Sequence, residues 1–417
     1  MRRLVAALAL LGSGGCSTSH PTAVAPPDLA PDLAPGNAVP LALGDTGLYS
    51  DWASRTVDPS NRSYTPAFPL WSDGAKKSRW IHIPAGAQID VTNIDEWQFP
   101  IGTKAWKEFR YDIRRADGTM AIDQRIETRM LWKRAAGDWQ LVTYVWSAAQ
   151  DEASLATAIN APPIPFPGTA SYEVPVLRCH ACHDRRQDKV LGFEAALLAA
   201  PETDPAGLTW DKLRAEKLVT SRGVLPDATA LGFLSQGQPG ERAAVGYLHT
   251  NCGITCHHEN SGEGTPFFMR LEAGTSGHLP TSIVDTSVFQ TAINKTSYFT
   301  PGGSGQQSFR IRPTDIDHSM VYYRMHTRAG LAGGGEQMPP IATHVIDDAE
   351  CQAVANWIQS MTAPPYPPPA PLAGEDLTQT LSMDLMMDDL PAPADMAASD
   401  QSAVATMDAL AVDAGAD

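Results

Sequence analysis

Two hydrophobic periodicities divide this chain and leave a mixed architecture as the only one open to it. Runs rich in β-branched and aromatic residues cover 77–84, 88–92, 103–113 and 125–134, and a further run spans 139–146. In the last of these Leu141, Thr143 and Val145 alternate with Val142, Tyr144 and Trp146, the period of two that a pleated strand imposes. Ala135-Ala136-Gly137-Asp138 joins it to its predecessor and predicts a hairpin. From residue 239 the spacing lengthens. Ala244, Val245, Tyr247 and Leu248 fall on or near one face of a helix over 239–250. Cys351, Val354, Ala355 and Ile358 stripe a second helix over 348–361, opened by Asp347 and Glu350 as a capping box. The expectation is an α+β multidomain chain. An antiparallel β-sandwich-like domain takes 46–168, a motif-bearing region 169–238, and a mainly α-helical domain 239–363.

The segments outside these limits carry different signals. Arg2 and Arg3, the apolar run Leu4 to Leu11, and Gly12 to Gly15 before Cys16 follow the plan of a secretory signal over 1–16. The apolar run is too short to span a bilayer. A Cys behind small residues is where bacterial lipoproteins are cleaved and acylated, which makes Cys16 the expected lipidation site. Ser13 stands where leucine is usual, and an ordinary signal peptide with an incidental Cys is the alternative. Residues 17–45 repeat Pro27-Asp28-Leu29-Ala30 as Pro31-Asp32-Leu33-Ala34, a low-complexity linker. Residues 364–417 run from a proline cluster into an Ala, Asp and Met-rich tail with too few bulky apolar groups to pack, and disorder is expected at both ends. Ten acidic and no basic side chains follow residue 374, so ten of the sixteen net negative charges belong to that tail. Nothing basic enough to bind nucleic acid is present.

Eight of the ten Trp lie between residues 52 and 146. Such density can present a face on which sugar rings stack, but it more commonly fills a β core, and the core is the expected use. No nucleophile, base and orienter grouping is seen in this half.

Chemistry enters at Arg178-Cys179-His180-Ala181-Cys182-His183-Asp184. Two thiols three positions apart can each add to one vinyl group of a single haem, and the adjoining His183 can reach the iron as proximal ligand. The spacing matters because the vinyl groups are fixed on a rigid macrocycle. A Cys179–Cys182 disulfide and a zinc site are the competing readings, and neither needs His next to the second Cys. His180, in the spacer, is expected at the surface. A second candidate, Cys252-Gly253-Ile254-Thr255-Cys256-His257, has a three-residue spacer where two are usual. The helix over 239–250 delivers the chain into it. Downstream, a Gly-rich loop ends in Met338-Pro339-Pro340, and a Met held by prolines suits a sixth ligand that raises the potential. Entry helix, Cys-Cys-His, Met loop and closing helix come in the order of a class I cytochrome c domain. An ordinary loop Met338 and a Cys252–Cys256 disulfide are the alternatives here. Between His183 and His249 there is no Met or His, so the first site lacks a local distal ligand. His249, Met269, Met120, Met130 or no protein ligand remain open.

The runs Phe68-Pro69-Leu70-Trp71-Ser72-Asp73-Gly74-Ala75, Arg79-Trp80-Ile81, Trp97 to Thr103 and Ile126-Glu127-Thr128-Arg129 resemble those of an uncharacterised family of secreted bacterial proteins. In it a similar β-rich region precedes a Cys-x-x-Cys-His and a cytochrome c-like module. The likeness extends over roughly 48–361. It implies haem c and electron transfer at Cys179, Cys182 and His183, and again at Cys252, Cys256 and His257, with no substrate attached. The expected protein is an exported, lipid-anchored c-type cytochrome, periplasmic or outer-membrane-associated. It would exchange electrons with redox partners of the cell envelope and touch the membrane through its anchor. A dihaem oxidoreductase such as a peroxidase, using an open first iron, and an envelope binding module built on the Trp-rich domain are the other classes. Cys351, on an apolar stripe and without a role in this scheme, is expected to be buried.

Overall fold

The period-two runs become strands. Short strands β1 (Tyr49–Asp51), β2 (Thr56–Val57) and β3 (Asn61–Ser63) precede β4 (Lys76–His82), β5 (Ile89–Asp90), β6 (Lys104–Arg114), β7 (Met120–Ala135), β8 (Asp138–Trp146) and β9 (Ala153–Leu155). Six of them form one antiparallel sheet in the order β3-β4-β6-β7-β8-β9. The predicted hairpin closes between paired Ala135 and Asp138, with Gly137 at φ 74°, a left-handed position that glycine adopts without a Cβ clash. The computed structural model describes residues 38–372 except 115–116, 158–163, 166–170, 173–178, 260, 262–264, 302–306, 329–335 and 341–342. The signal segment with Cys16, most of the 17–45 linker and the tail beyond 372 lie outside the described residues.

Register sorts the side chains onto two faces. Ile81, Ala105, Leu131 and Leu141 form one cross-strand row, and Trp80, Trp106, Met130 and Val142 form the neighbouring row on the opposite face. The second row packs with Tyr144, Trp146, Leu43, Leu48 and Tyr49 into a closed cluster. The first row belongs instead to the large core that continues through Phe193, Leu197, Trp210, Leu248 and Val354. Sheet and helices therefore share one core, and the described residues as far as Pro369 form one compact unit, with 370–372 the described part of a second. The architecture is α+β. The two facing sheets of a sandwich are replaced: helices cover one face of the single six-stranded sheet, and the N-terminal segment with β1 and β2 covers the other. Trp97, Trp106, Trp139 and Trp146 are buried and Trp52, Trp71, Trp80 and Trp132 half-buried, as core packing requires. Truncating one such as Trp106 costs about 3–5 kcal/mol.

A two-stranded ladder of β10 (Ile164–Pro165) and β11 (Ser171–Tyr172) leads to the helical region: α1 (Cys179–His183), α2 (Ala195–Ala199), α3 (Trp210–Ala215), then β12 (Val219–Thr220), α4 (Phe233–Gln236), α5 (Pro239–Leu248), α6 (Ser287–Ala292), α7 (Met320–Met325) and α8 (Asp348–Ser360). Strand β12 pairs in parallel with β5, tying this half to the loops of the sheet. Helices α5 and α8 pack against each other. The predicted cap is present, Asp347 accepting from the Glu350 N–H at 3.4 Å, and Cys351, Val354, Ala355 and Ile358 are all buried. Among the described residues no helix is long and apolar enough to cross a membrane.

Candidate functional site

The first motif is helix α1 itself, a single α turn that puts Cys179, Cys182 and His183 on neighbouring positions of one short element. Within it His183 makes a directed contact: its Nδ1 lies 2.5 Å from the Lys189 carbonyl oxygen. A carbonyl only accepts, so Nδ1 carries the proton and Nε2 keeps its lone pair. Burial pushes the His183 pKa down to about 4, helped by the positive charges of Lys107 and Arg129, and the ring is neutral at pH 7. This is the tautomer and charge state of a metal-ligating imidazole, whose other nitrogen is commonly fixed in this way. His180 turns outward, its side chain 44% exposed and paired with Asp184 at 3.0 Å.

The chain after α1 is clamped to the sheet. Buried Asp188 accepts from Lys133 Nζ at 2.7 Å, from the Phe99 N–H at 2.6 Å and from Trp139 Nε1 at 3.0 Å. Lys133 lies on β7 and Trp139 on β8, so the segment that presents the Lys189 carbonyl is fastened to the sheet. Arg186 adds bonds to Glu96 (3.0 Å) and Glu194 (3.4 Å).

The second motif solves its longer spacer by changing the winding. Helix α5 passes into a π turn over His249–Gly253, with Ile254 N–H bonded to His249 O and His257 N–H to Cys252 O, both at 2.8 Å and both spanning five residues. One inserted residue in a helix is absorbed in this way. A π turn closes on the fifth residue as an α turn closes on the fourth, so His257 stands over Cys252 much as His183 stands over Cys179. Gly253 is required for packing: a Cβ there would lie 2.4 Å from Arg270 N and 2.6 Å from its Cα. The His257 ring repeats the feature of the first site, Nδ1 lying 3.2 Å from the Phe267 carbonyl, with the Phe267 ring beside it at 5.0 Å. Among the described residues no two cysteines are joined in a disulfide.

The two turns are brought together. Arg185, two residues past His183, donates to the Ser261 carbonyl, four residues past His257. Arg186 and Arg270 share Glu96 at 3.0 Å each, and Arg270, 2% exposed, also binds Glu272 at 2.8 Å. Glu194 faces Arg186 and His249, and these neighbours hold its carboxyl well below the usual carboxylate range against its burial. The sequence offered no pattern for this network, because Glu96, Glu194 and Arg270 lie in three unrelated segments.

Several distal-ligand candidates are committed elsewhere. His249 is fully buried; its Nδ1 accepts from the Leu271 N–H at 3.0 Å, so Nε2 bears the proton and faces Glu194 Oε1 at 2.7 Å, off the line of a directed hydrogen bond. Met130 is in the cluster on the far face of the sheet, and Met120 is exposed at the start of β7. Met269 is buried beside the second motif, its N–H bonded to the His257 carbonyl at 2.7 Å. Met338 sits in a loop held to α7 by its own N–H bonded to Arg324 O at 2.9 Å, and Gln337 bonds Pro339 O and Thr343 O at 3.1 and 3.0 Å. Cys351 is 2% exposed. No family model, curated protein or solved structure matches this chain.

Proposed function

We propose that the protein is a c-type cytochrome that binds haem at Cys179, Cys182 and His183 and again at Cys252, Cys256 and His257, and that it transfers electrons in the cell envelope. The observation that carries this reading is the shared setting of the two histidines. At two unrelated points of the chain, a histidine following a Cys pair is held to a backbone carbonyl through Nδ1. A disulfide gives no reason for that repetition. Moreover, among the described residues no three His, Cys, Asp or Glu side chains gather as metal ligands, so the closed shell of a structural zinc finds no support.

In this reading the four Cys would tether the macrocycles, His183 and His257 would each ligate an iron, and Met338 would ligate the second. Haem supplies a one-electron couple whose potential the protein sets through ligation, burial and hydrogen bonding. The Lys189 and Phe267 carbonyls hold the two imidazoles in orientation. The Glu96, Glu194, Arg186 and Arg270 network keeps the two turns at a constant separation, which suits transfer between them. Export, acylation at Cys16 and redox partners in the envelope complete the proposal, and the packing of α5 against α8 around the second motif supports a class I-like module.

A dihaem oxidoreductase is the second reading. It is favoured by the commitment of His249 and Met130 elsewhere, which leaves the first iron without them as a sixth ligand. The Trp-rich region as a binding module is less favoured, since its Trp side chains are buried or half-buried.

The test is the intact mass of the mature protein from a host competent for c-type maturation, followed by carbon monoxide binding to the reduced form. Two added haems are expected, and none would end the proposal. Rapid carbon monoxide binding at one haem selects the oxidoreductase; two six-coordinate, unreactive spectra select the carrier.

A further inference from the structure

The face of the sheet that turns toward the helices gathers more basic side chains than acidic ones. Arg79 on β4, Lys107 on β6 and Arg129 on β7 are direct cross-strand neighbours, and the row ends at Thr143 on β8. Like charges placed directly opposite one another destabilise a sheet. The adjacent row on the same face adds Lys77 and returns a single carboxylate, Glu127, which Arg129 binds at 2.5 Å. The cations converge: Lys107 Nζ and the Arg129 guanidinium lie 4.9 and 4.5 Å from the centroid of the same Phe109 ring. Arg79 is 7% exposed, and among the described residues its guanidinium takes no hydrogen bond and no ion pair. Lys107 likewise has no acceptor. The Thr143 hydroxyl, at 4% exposure, has no hydrogen-bond partner. Three donor groups thus wait on one line for acceptors.

Their place in the fold says which acceptors. The row lies one step along the strands from Ile81, Ala105, Leu131 and Leu141, which pack with the segment following α1. Tyr64, whose N–H bonds the Arg79 carbonyl, meets the Phe193 ring edge-on at 4.7 Å. Lys133, four residues from Arg129 on the same face of β7, binds Asp188 at 2.8 Å, next to the Lys189 carbonyl that holds His183. The row therefore borders the first motif and is remote from β8 and β9 surfaces facing the N-terminal cluster.

We infer that Arg79, Lys107, Arg129 and Thr143 form the seat for the two propionate carboxylates of the haem tethered at Cys179 and Cys182. Two carboxylates on one edge of a rigid macrocycle, opposite its vinyl positions, supply acceptors that Arg79 and Lys107 lack among the described residues, and Arg in particular matches a carboxylate with two parallel N–H donors. The inference rests on the haem reading of the first motif, and it assigns the β-rich half a purpose: it is the electrostatic floor of that site, setting its potential by fixed positive charge.

The experiment compares wild-type holoprotein with Arg79→Gln, Lys107→Met and the far-face control Lys104→Gln, reading haem number by intact mass and the potential of each haem by spectroelectrochemical titration. Removing one positive charge near the iron favours the oxidised form. The first haem is expected to become about tenfold harder to reduce, about 59 mV for one electron, in either row variant, and the second haem and the Lys104 control to stay unchanged. Arg79→Lys, which keeps the charge, should keep the potential close to that of the wild type. A wild type that carries no haem refutes the cytochrome reading itself. A wild type with haem whose potentials ignore both row substitutions overturns this inference alone, and Lys107→Met guards against misfolding of Arg79→Gln because it keeps the length and apolar stem of lysine. If inorganic phosphate at constant ionic strength shifts the wild-type potential, a free oxyanion occupies the row and the propionate assignment is wrong; no phosphate effect is expected.

Discussion

Replacing Asp188 by Asn tests whether the sheet holds the first motif in place. Asp188 is buried and answers three donors, one of them the Lys133 ammonium at 2.7 Å, itself on a residue only 7% exposed. Breaking a buried pair from one side leaves a charge without its counterion and costs about 3–5 kcal/mol. Asn keeps one acceptor oxygen for Phe99 N–H or Trp139 Nε1, and the Phe99 carbonyl still accepts from Lys133 at 2.8 Å, so the lower end is expected, about 3 kcal/mol. That raises the unfolding constant by about two orders of magnitude, a large share of the roughly 5–15 kcal/mol that holds a typical domain. Urea unfolding followed by Trp fluorescence reads it as a lower midpoint at unchanged slope. Because Lys189 follows Asp188 and its carbonyl orients His183, the variant should also loosen the first site before global unfolding. Adding Lys133→Met to Asp188→Asn removes the stranded ammonium while an acceptor oxygen stays for Phe99 N–H or Trp139 Nε1, and part of the stability should return. A loss below about 1 kcal/mol, or a double variant no better than the single, would refute the reasoning.

Three further outcomes are expected. Gly253→Ala forces a Cβ against the Arg270 backbone, which cannot yield as a flexible side chain would; intact mass should show loss of one haem, with the other retained. His249→Gln removes the contact with Glu194 at 2.7 Å and the acceptor of the Leu271 N–H and should cost about 1–3 kcal/mol, yet leave the axial ligation spectrum of the first haem unchanged, and a ligation change would make His249 a ligand after all. Burial pushes the Cys351 thiol up to about 12 from an ordinary value of 9.0. The folded state therefore keeps its proton longer than the unfolded chain, and this contribution is complete below pH 9 and is lost as the pH rises from 9 toward 12. Native protein should resist alkylation at Cys351 at pH 8, and Cys351→Ala should flatten the alkaline fall in stability; stoichiometric labelling without denaturant would contradict this.

The sequence by itself determined whatever depends on short windows of chain. The strands around 77–146, the hairpin at Gly137, helices α5 and α8 with the Asp347 cap, and the burial of Cys351 all follow from periods of two and 3.6 and from turn and cap chemistry, which act over a few residues. The two Cys-Cys-His turns were legible for the same reason. Only the tertiary structure decided how distant segments meet. That the sheet lends one face to the helical core depends on strand register; a shift of one residue would send Arg79, Lys107 and Arg129 to the other side. The π turn that carries His257 over Cys252 depends on Arg270 closing against Gly253, and Arg270 is held by Glu96 from a loop 174 residues away. Charges act through space without regard to order along the chain. The pairing of Lys133 with Asp188, the removal of His249 to Glu194, and the basic row on the sheet therefore leave no periodic trace in sequence.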